Sequence, residues 1–396
     1  MSHWNSILGL PGLTIDGVKR GKSIEVWGRP ASRPSCIHCN HSPIRIKSTH
    51  QRSLKHTRQG NQLMLLHLAI PKYHCSNCNR YFRHPLKGIR PRLRSTECYR
   101  LEVFESHEGG ISQKKLSITH SIGCATVERW YQHFIQRRVS ELSGRPCPSI
   151  LGIDEHFFSR KNGFATTLVD LKNHKVFDVV PGRSQPSLHH YLSNLQGREQ
   201  VKIVVMDLSE TYRNIVQQYF PNAKIVADRF HVIRLVNHHF LQLWQQQDPS
   251  GRKSRGLLSL MRRHTWNLTP EQKINLNQYL DQFPILKSIY RAKQRLNSLL
   301  LLKTIKAKRA KRMLPILLRL LDQFTKSPAK ALANTILSWL EPIVRMWRFS
   351  KSNGITEGFH NKMEMISRRA FGFRNFNNYR MRVLALCGWN GVINRV

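Results

Sequence analysis

Residues 149–171 read SILGIDEHFFSRKNGFATTLVDL, and two shorter runs follow it, VKIVVMD at 201–207 and AKIVAD at 223–228. Ser149 to Phe158 has the length and apolar content of a strand, and it carries Asp154 inside it. Phe164 to Leu171 and Lys175 to Val180 predict two more strands, joined by the turn-like Lys172-Asn173-His174. Ser187 to Leu195 predicts a helix. Val201 to Met206 is almost wholly apolar, as a strand covered on both faces should be, and it ends at Asp207. Glu210 to Phe220 predicts a second helix, and Ala223 to Ala227 a strand ending at Asp228. Three strands, helix, strand, helix, strand is the order of an α/β sandwich. Ligand sites in such sheets gather at strand ends, where two of these aspartates sit.

Outward from this region the chain turns strongly basic. Lys plus Arg number 64 and Asp plus Glu 23, a formal charge of +41, with 20 histidines besides. Such an excess repels itself in a compact fold and favours a polyanionic partner, nucleic acid first. A content of 40% hydrophobic residues with eight tryptophans excludes a disordered basic tail. No apolar run reaches the ~18 residues of a membrane span, and the first 21 residues show no secretory pattern. The expected setting is a reducing compartment that contains DNA.

Cys36-Ile-His-Cys39 and Cys75-Ser-Asn-Cys78 flank a strand-like run, Gln62 to Tyr73. Paired CxxC knuckles predict a tetrathiolate zinc site that staples a segment too small to fold alone. The bland alternative is four unrelated thiols. His38, His41 and His74 lie near enough to compete as ligands, whereas Cys98, Cys124, Cys147 and Cys387 have no ligand spacing and read as small core residues.

Ile111 to Gln136 reads as helix, a turn at Ile122-Gly123-Cys124, and a helix from Ala125, which describes a helix-turn-helix. Its second helix would present Thr126, Glu128, Arg129 and Gln132 to a major groove. An ordinary helical hairpin fits the same pattern, and the net charge favours DNA. Beyond residue 240 helical periodicity dominates. Thr269-Pro-Glu-Gln272 predicts a capped helix start. Leu296 to Leu321 predicts a helical region with a basic face containing Lys306 and Arg309, interrupted at Pro315.

Asp154, Asp207 and Asp228 interrupt or terminate apolar strands, where a charge is costly without a purpose. Near phosphates, a carboxylate repels its ligand unless a cation sits between. Clustered acids that hold two Mg²⁺ ions would suit phosphoryl transfer. A single strand-end Asp also caps a turn, but three in one α/β region weaken that reading. In Ser352 to Leu384, Glu357 stands near a helix start with Asn361 and Glu364 four and seven residues on. Arg368, Arg369, Arg374, Arg380 and Arg382 alternate with Phe371, Phe373, Phe376 and Tyr379, a phosphate- and base-contacting composition. An amphipathic helix with a solvated basic face gives the same spacing.

Three stretches, LGIDEHFFSRKNGFATTLVDL (151–171), VVMDLSETYRNIVQQYFPNAKIVADRFHVIRLVN (204–237) and SNGITEGFHNKMEMISRRAFGFRNFNNYRMRVL (352–384), resemble the DDE transposases of bacterial insertion sequences, in particular the ISL-three group. The double CxxC and the helix-turn-helix match as well. The resemblance implies a multidomain α/β protein: a zinc-ribbon-like domain at 1–90, a helix-turn-helix DNA-binding domain at 91–145, an RNase H-like catalytic core beginning at 149–240, a helical insertion at 241–350, and a C-terminal catalytic helix and basic segment at 351–396.

It places the catalytic acids on Asp154, Asp207 and Glu357 with Mg²⁺ (or Mn²⁺), and Asp228 and His231 beside them. DNA contacts fall to Thr126, Arg129, Gln132, Lys306, Arg309, Arg368, Arg369 and Arg374, and Zn²⁺ to the cysteines. The implied partners are double-stranded DNA, its terminal inverted repeats and target DNA, with no membrane, a homodimer or larger assembly on DNA, and a bacterial cytoplasmic, nucleoid-associated location. Glu364 departs from the pattern, because many relatives carry a basic residue there, and 241–350 matches only loosely. The rivals are a DNA-binding regulator with a vestigial core and an RNase H-like nuclease.

Overall fold

A computed structural model of the chain describes residues 8–42, 44–142, 145–322, 328–349, 354–370 and 372–388. It forms two compact units, Met1–Arg137 and Arg138–Val396. Residues 143 and 144 of the expected boundary lie outside the described residues.

In the first unit, β1 (Leu13–Arg20), β2 (Ile24–Pro30), β3 (Arg45–Gln59) and β4 (Gln62–His74) form a sheet of order β1-β2-β4-β3, and β5 (Tyr81–Arg83) adds to β4. The β3–β4 hairpin closes Gln59 on Gln62, with Gly60 at φ 60° supplying the left-handed turn residue. Along β4, Met64, Leu66, Leu68 and Ile70 alternate inward and meet Leu8, Leu13, Val26 and Leu54. Three helices follow: α1 (Glu97–Glu108), α2 (Gln113–His120) and α3 (Cys124–Leu142). Thr96 and Ser112 cap the first two through their hydroxyls, and Ser121 at φ 50° ends the second. Tyr99, Val103, Leu116 and Val127 pack the three together.

The second unit is built on a sheet of order β10-β9-β6-β7-β8, with β6 (Ile150–Ser159), β7 (Gly163–Asp170) and β8 (Lys175–Pro181) antiparallel. β9 (Ile203–Met206) runs parallel to β6, and β10 (Lys224–Ala227) parallel to β9. The helices α4 (Gln185–Ser193) and α5 (Glu210–Tyr219) lie between these strands in sequence. Val204, Val205, Met206 and Val226 are fully buried, which is why 201–206 carries so few polar residues.

The chain then leaves through α6 (Arg229–Gln247) into α7 (Pro249–Lys253), α8 (Arg255–Arg262), α9 (Pro270–Asp281), α10 (Pro284–Leu301), α11 (Ala307–Asp322), α12 (Pro328–Ser338) and α13 (Leu340–Arg345). It returns in α14 (Gly354–Arg369) and α15 (Phe376–Val383). The expected capping box at Thr269 and Gln272 is present. Pro315 does not break its helix: it lies inside α11, and the interruption falls at 302–306. Among the remaining cysteines, Cys147 and Cys387 are buried, but Cys98 is only half-buried and Cys124 is exposed.

Arg380, one of the arginines whose alternation with aromatics reads as a phosphate- and base-contacting composition, engages a carboxylate instead. Its Nε and Nη2 donate to both oxygens of buried Asp178 at 2.6 and 2.7 Å, and Tyr191 Oη donates to the same carboxylate at 2.8 Å. The pair ties α15 to β8. Asp178→Ala leaves Arg380 with an uncompensated, half-buried charge. It should cost about 3–5 kcal/mol in a chemical denaturation series; a loss under 1 kcal/mol would show the pair to be dispensable.

Candidate active site and metal centre

The strand register sets three aspartates in a row. Gly152 pairs with Val205, so two residues on, Asp154 stands beside Asp207. Ala227 pairs with Met206, so one residue on, Asp228 also flanks Asp207, and its N–H donates to Met206 O at 2.8 Å. Neighbouring strands lie about 4.8 Å apart, which holds the three carboxyl groups in one another's field.

Burial pushes the Asp154 carboxyl up to about 6; His231 opposes that shift, and Asp207 and Asp228 add to it. Burial likewise raises Asp207, with Glu155 and Asp228 adding repulsion. Neither strand-end aspartate caps a helix in the ordinary way. Ser209 caps α5, and the Asp228 side chain makes no capping bond to α6. Asp207 Oδ1 is buried with no hydrogen-bond partner. Crowded carboxylates, two of them buried and the third half-buried with an unsatisfied oxygen, suit a divalent cation better than a turn. His231, on the first turn of α6, stands with Nε2 3.7 Å from Asp228 Oδ2.

Glu357 is exposed on the first turn of α14. Among the described residues, the four cysteines alone bring three or more His, Cys, Asp or Glu ligand atoms within 4.8 Å of one another. The ligand oxygens of Asp154, Asp207 and Asp228 therefore do not all lie within that distance of one another, and Glu357 does not join any two of them within it. Its helix is nonetheless docked beside them. His360, one turn further on, has Nε2 3.1 Å from Thr167 Oγ1, and Thr167 is the cross-strand partner of Asp154. His156 Nδ1 reaches the same hydroxyl at 3.0 Å, and Tyr379 Oη meets His156 Nε2 at 2.9 Å. With a single hydrogen, the Thr167 hydroxyl can donate to only one of the two rings.

This chain of four side chains joins β6, β7, α14 and α15; Tyr379, read from sequence as one of the aromatics beside the arginines, instead bonds His156, and the other three carry no reading from sequence. The signal was there: His156 follows Asp154 by two on a strand, and His360 follows Glu357 by three on a helix, so each shares a face with an acid.

Burial holds His156 down to about 3, with His360 adding to the shift, and burial with His231 holds His360 down to about 4. Below the ordinary histidine range the unfolded chain binds the extra protons first. The stability these rings contribute is therefore present above ~6.5 and is lost as pH falls toward their folded values. Imidazole nitrogen shifts should show both rings neutral across roughly pH 5–8; a midpoint for either near 6.5 would contradict the network.

The expected DNA-contacting residues are dispersed. On α3, Arg129 is exposed, Thr126 is half-buried, and Gln132 donates to Glu128 at 2.7 Å. Lys306 and Arg309 are exposed at and after the start of α11, as are Arg368, Arg369 and Arg374 at and beyond the end of α14. Glu364 is also exposed, and it pairs with Arg368 at 2.7 Å.

The cysteines do converge. Cys36 Sγ lies 3.6 Å from Cys78 Sγ, and Cys39 Sγ 3.6 Å from Cys75 Sγ. A tetrahedron with Zn–S of 2.3 Å has edges of about 3.8 Å, so the quartet fits zinc. The two knuckles repeat one geometry. Cys36 N–H donates to His41 O and Cys75 N–H to Arg80 O, both at 3.0 Å, and Asn40 and Asn79 adopt φ of 56° and 53°. His74 Nε2 is 2.8 Å from Asn79 Oδ1, outside the quartet. Beneath the knuckles pack Ile44, Tyr73 and Phe82.

Comparison with known proteins agrees with this geometry. A family profile described as transposase matches residues 151–383, which is more than half of the chain. The chain belongs to the ISL3 family of transposases. A second profile, the zinc-finger of transposases IS204, IS1001, IS1096 and IS1165, matches residues 32–78 and so takes in all four cysteines. The transposase for insertion sequence element IS1001 of Bordetella parapertussis is 24% identical over 246 residues. That match spans 59% of this chain and 60% of the relative. The family sequence thus runs from the first strand of the second sheet to the end of α15, and the zinc-ribbon sequence lies in the first unit. Among the described residues, no helix is long and apolar enough to cross a membrane.

Proposed function

We propose that this protein is an active transposase that binds the terminal inverted repeats of its insertion sequence and cuts and joins DNA at them. The observation that carries the reading is the row of Asp154, Asp207 and Asp228 across three adjacent strands, the first and last buried, the middle one half-buried, and their charges in mutual repulsion, in a chain of charge +41. The sheet, three antiparallel strands followed by two parallel ones, supports an RNase H-like core.

In this reading Asp154 and Asp207 hold Mg²⁺ (or Mn²⁺), and Glu357 completes the set from α14. Bound there, the divalent ions would activate a water or a 3′-hydroxyl for attack on a phosphodiester and stabilise the leaving oxygen. The protein's own part is to aim its acids. The Thr167–His360 bond fixes α14 against β7, and the His156–Tyr379 bond fixes α15 behind it. Asp228 and His231 stand beside the aspartates and set the local charge. Helices α2 and α3 serve as the helix-turn-helix, with Arg129 toward the duplex. Two element ends must meet for joining, which calls for a dimer or larger assembly on DNA.

The test is incubation of the wild-type protein and Mg²⁺ with labelled DNA carrying the element's own ends and an unlabelled target plasmid. Cutting at the ends followed by covalent joining to the plasmid is expected. Cutting without joining and without preference for the ends would identify a nuclease, and tight end binding without cutting would identify a regulator.

A further inference from the structure

The first unit contains a basic groove of about 1320 Å³ between the exposed face of β3 and the segment 81–94. Six of its lining residues are Arg52, Arg83, Lys87, Arg90, Arg92 and Arg94, and no carboxylate lines it. Arg83, Lys87, Arg92 and Arg94 are exposed. Burial pushes the Arg52 guanidinium down, and the neighbouring charge of Arg83 adds to the shift.

The wall of this groove is rigid. Arg52 Nη2 donates to Arg90 O at 2.7 Å and also to Leu93 O. Lys55 N–H donates to Arg94 O, and Thr96 N–H to Lys55 O, both at 3.0 Å. Pro85 and Pro91 lock their own φ. Arg92 is held at φ 64°, a left-handed backbone that an arginine rarely adopts without a reason. A charged loop clamped in this way has already lost the freedom that binding would otherwise remove.

We infer that this groove is a phosphate-tracking surface for double-stranded DNA, separate from α3, that adds affinity without reading sequence. The inference rests on the transposase reading for its partner and assigns that partner a second contact. Arg90 pairs with Glu97 at 3.3 Å, and the other arginines and the lysine, around a groove with no lining carboxylate, suit the polyanionic backbone of a duplex. A single strand fits less well, because such grooves offer bare rings for bases to stack on. Of the two phenyl rings lining the groove, Phe82 is buried, and Tyr81, though exposed, already meets Lys72 at 5.1 Å and His74 at 4.7 Å.

The test uses full-length, zinc-loaded protein and its triple variant Arg83→Ala, Arg92→Gly, Arg94→Ala; glycine at 92 keeps the left-handed turn. Kd is measured against KCl concentration on a duplex carrying the element's ends, on a scrambled duplex and on a single strand of equal length. Each lost phosphate contact lowers the log–log salt slope by about 0.9, so a fall of ~2–3 is expected on both duplexes. Affinity should drop by a similar factor on both, leaving the ratio of end to scrambled binding unchanged. The all-lysine counterpart at 83, 92 and 94 should keep most of the slope.

Zinc content and circular dichroism equal to wild type secure the fold of the variants. An unchanged slope, a loss confined to the end duplex, or a loss confined to the single strand would each overturn the inference. Absence of end preference in the wild type would count against the transposase reading alone, because the scrambled duplex still reports on the groove.

Discussion

Asp207→Asn should reduce strand cleavage at the element ends by roughly a thousandfold or more, about 4 kcal/mol of barrier, and leave binding to the ends within a factor of two or so. The same substitution should raise thermal stability in EDTA. The physics behind the two effects is shared. Asp207 is half-buried, its Oδ1 is shut from solvent with no hydrogen-bond partner, and Glu155 and Asp228 push against its charge. Asparagine keeps the shape and removes that repulsion, which in a unit of this size should lift Tm by about 2–4 °C per kcal/mol relieved. It also removes the anionic oxygen that would meet Mg²⁺, so the stabilisation Mg²⁺ confers on the wild type should vanish. A residue that merely capped a turn would show the opposite pattern, with lower Tm in EDTA and little change in cleavage. Asp154→Asn should behave in the same way. Glu357→Gln should abolish cleavage without the gain in Tm, because Glu357 is exposed.

Cys36→Ser should release the zinc and unfold the knuckles. A structural zinc contributes on the order of 10 kcal/mol to a small metal-dependent fold, and little else holds this one. Its own core is Ile44, Tyr73 and Phe82 around Cys36 and Cys75. The neighbouring core of Leu13, Val26, Leu54 and Leu66 is separate, so β1 to β4 should persist. Metal analysis should fall from one zinc per chain to well below it, and amide exchange should rise sharply at 36–41 and 75–83 while staying slow in the middle of β4. Cys98→Ser and Cys124→Ser should retain the metal. Zinc that survives the loss of Cys36, or exchange that rises evenly through the unit, would contradict the assignment.

The strands of the second sheet were legible because burial on both faces leaves a plain mark, an apolar run with a charge at its end. Their bounds moved by a residue or two, as at Val201, where the strand starts only at Ile203. The cysteine quartet was legible because ligand spacing is local. Long-range partnerships were not. Nothing near Pro315 or Leu302 indicates that the helical break falls at the second of them. That break has a tertiary partner: Trp347 Nε1 donates to Leu302 O at 2.7 Å across 45 residues. Arg380 belonged by composition with the arginines read as DNA contacts, and Asp178, which engages it, lies 202 residues away. His156 and His360 passed as ordinary histidines until Thr167 joined them. The basic groove shows the same limit. Its charges are evident in the residues from Arg83 to Arg94, but the clamp from Arg52 that shapes them is visible only in the fold.

The most direct test of the central claim is single-turnover cleavage of end-labelled DNA carrying the element's ends, with Mg²⁺, comparing the wild type with Asp207→Asn at equal DNA occupancy. The account predicts cuts at the ends by the wild type and none above background by the variant. Equal cutting by the two proteins would place the chemistry somewhere other than the row of aspartates.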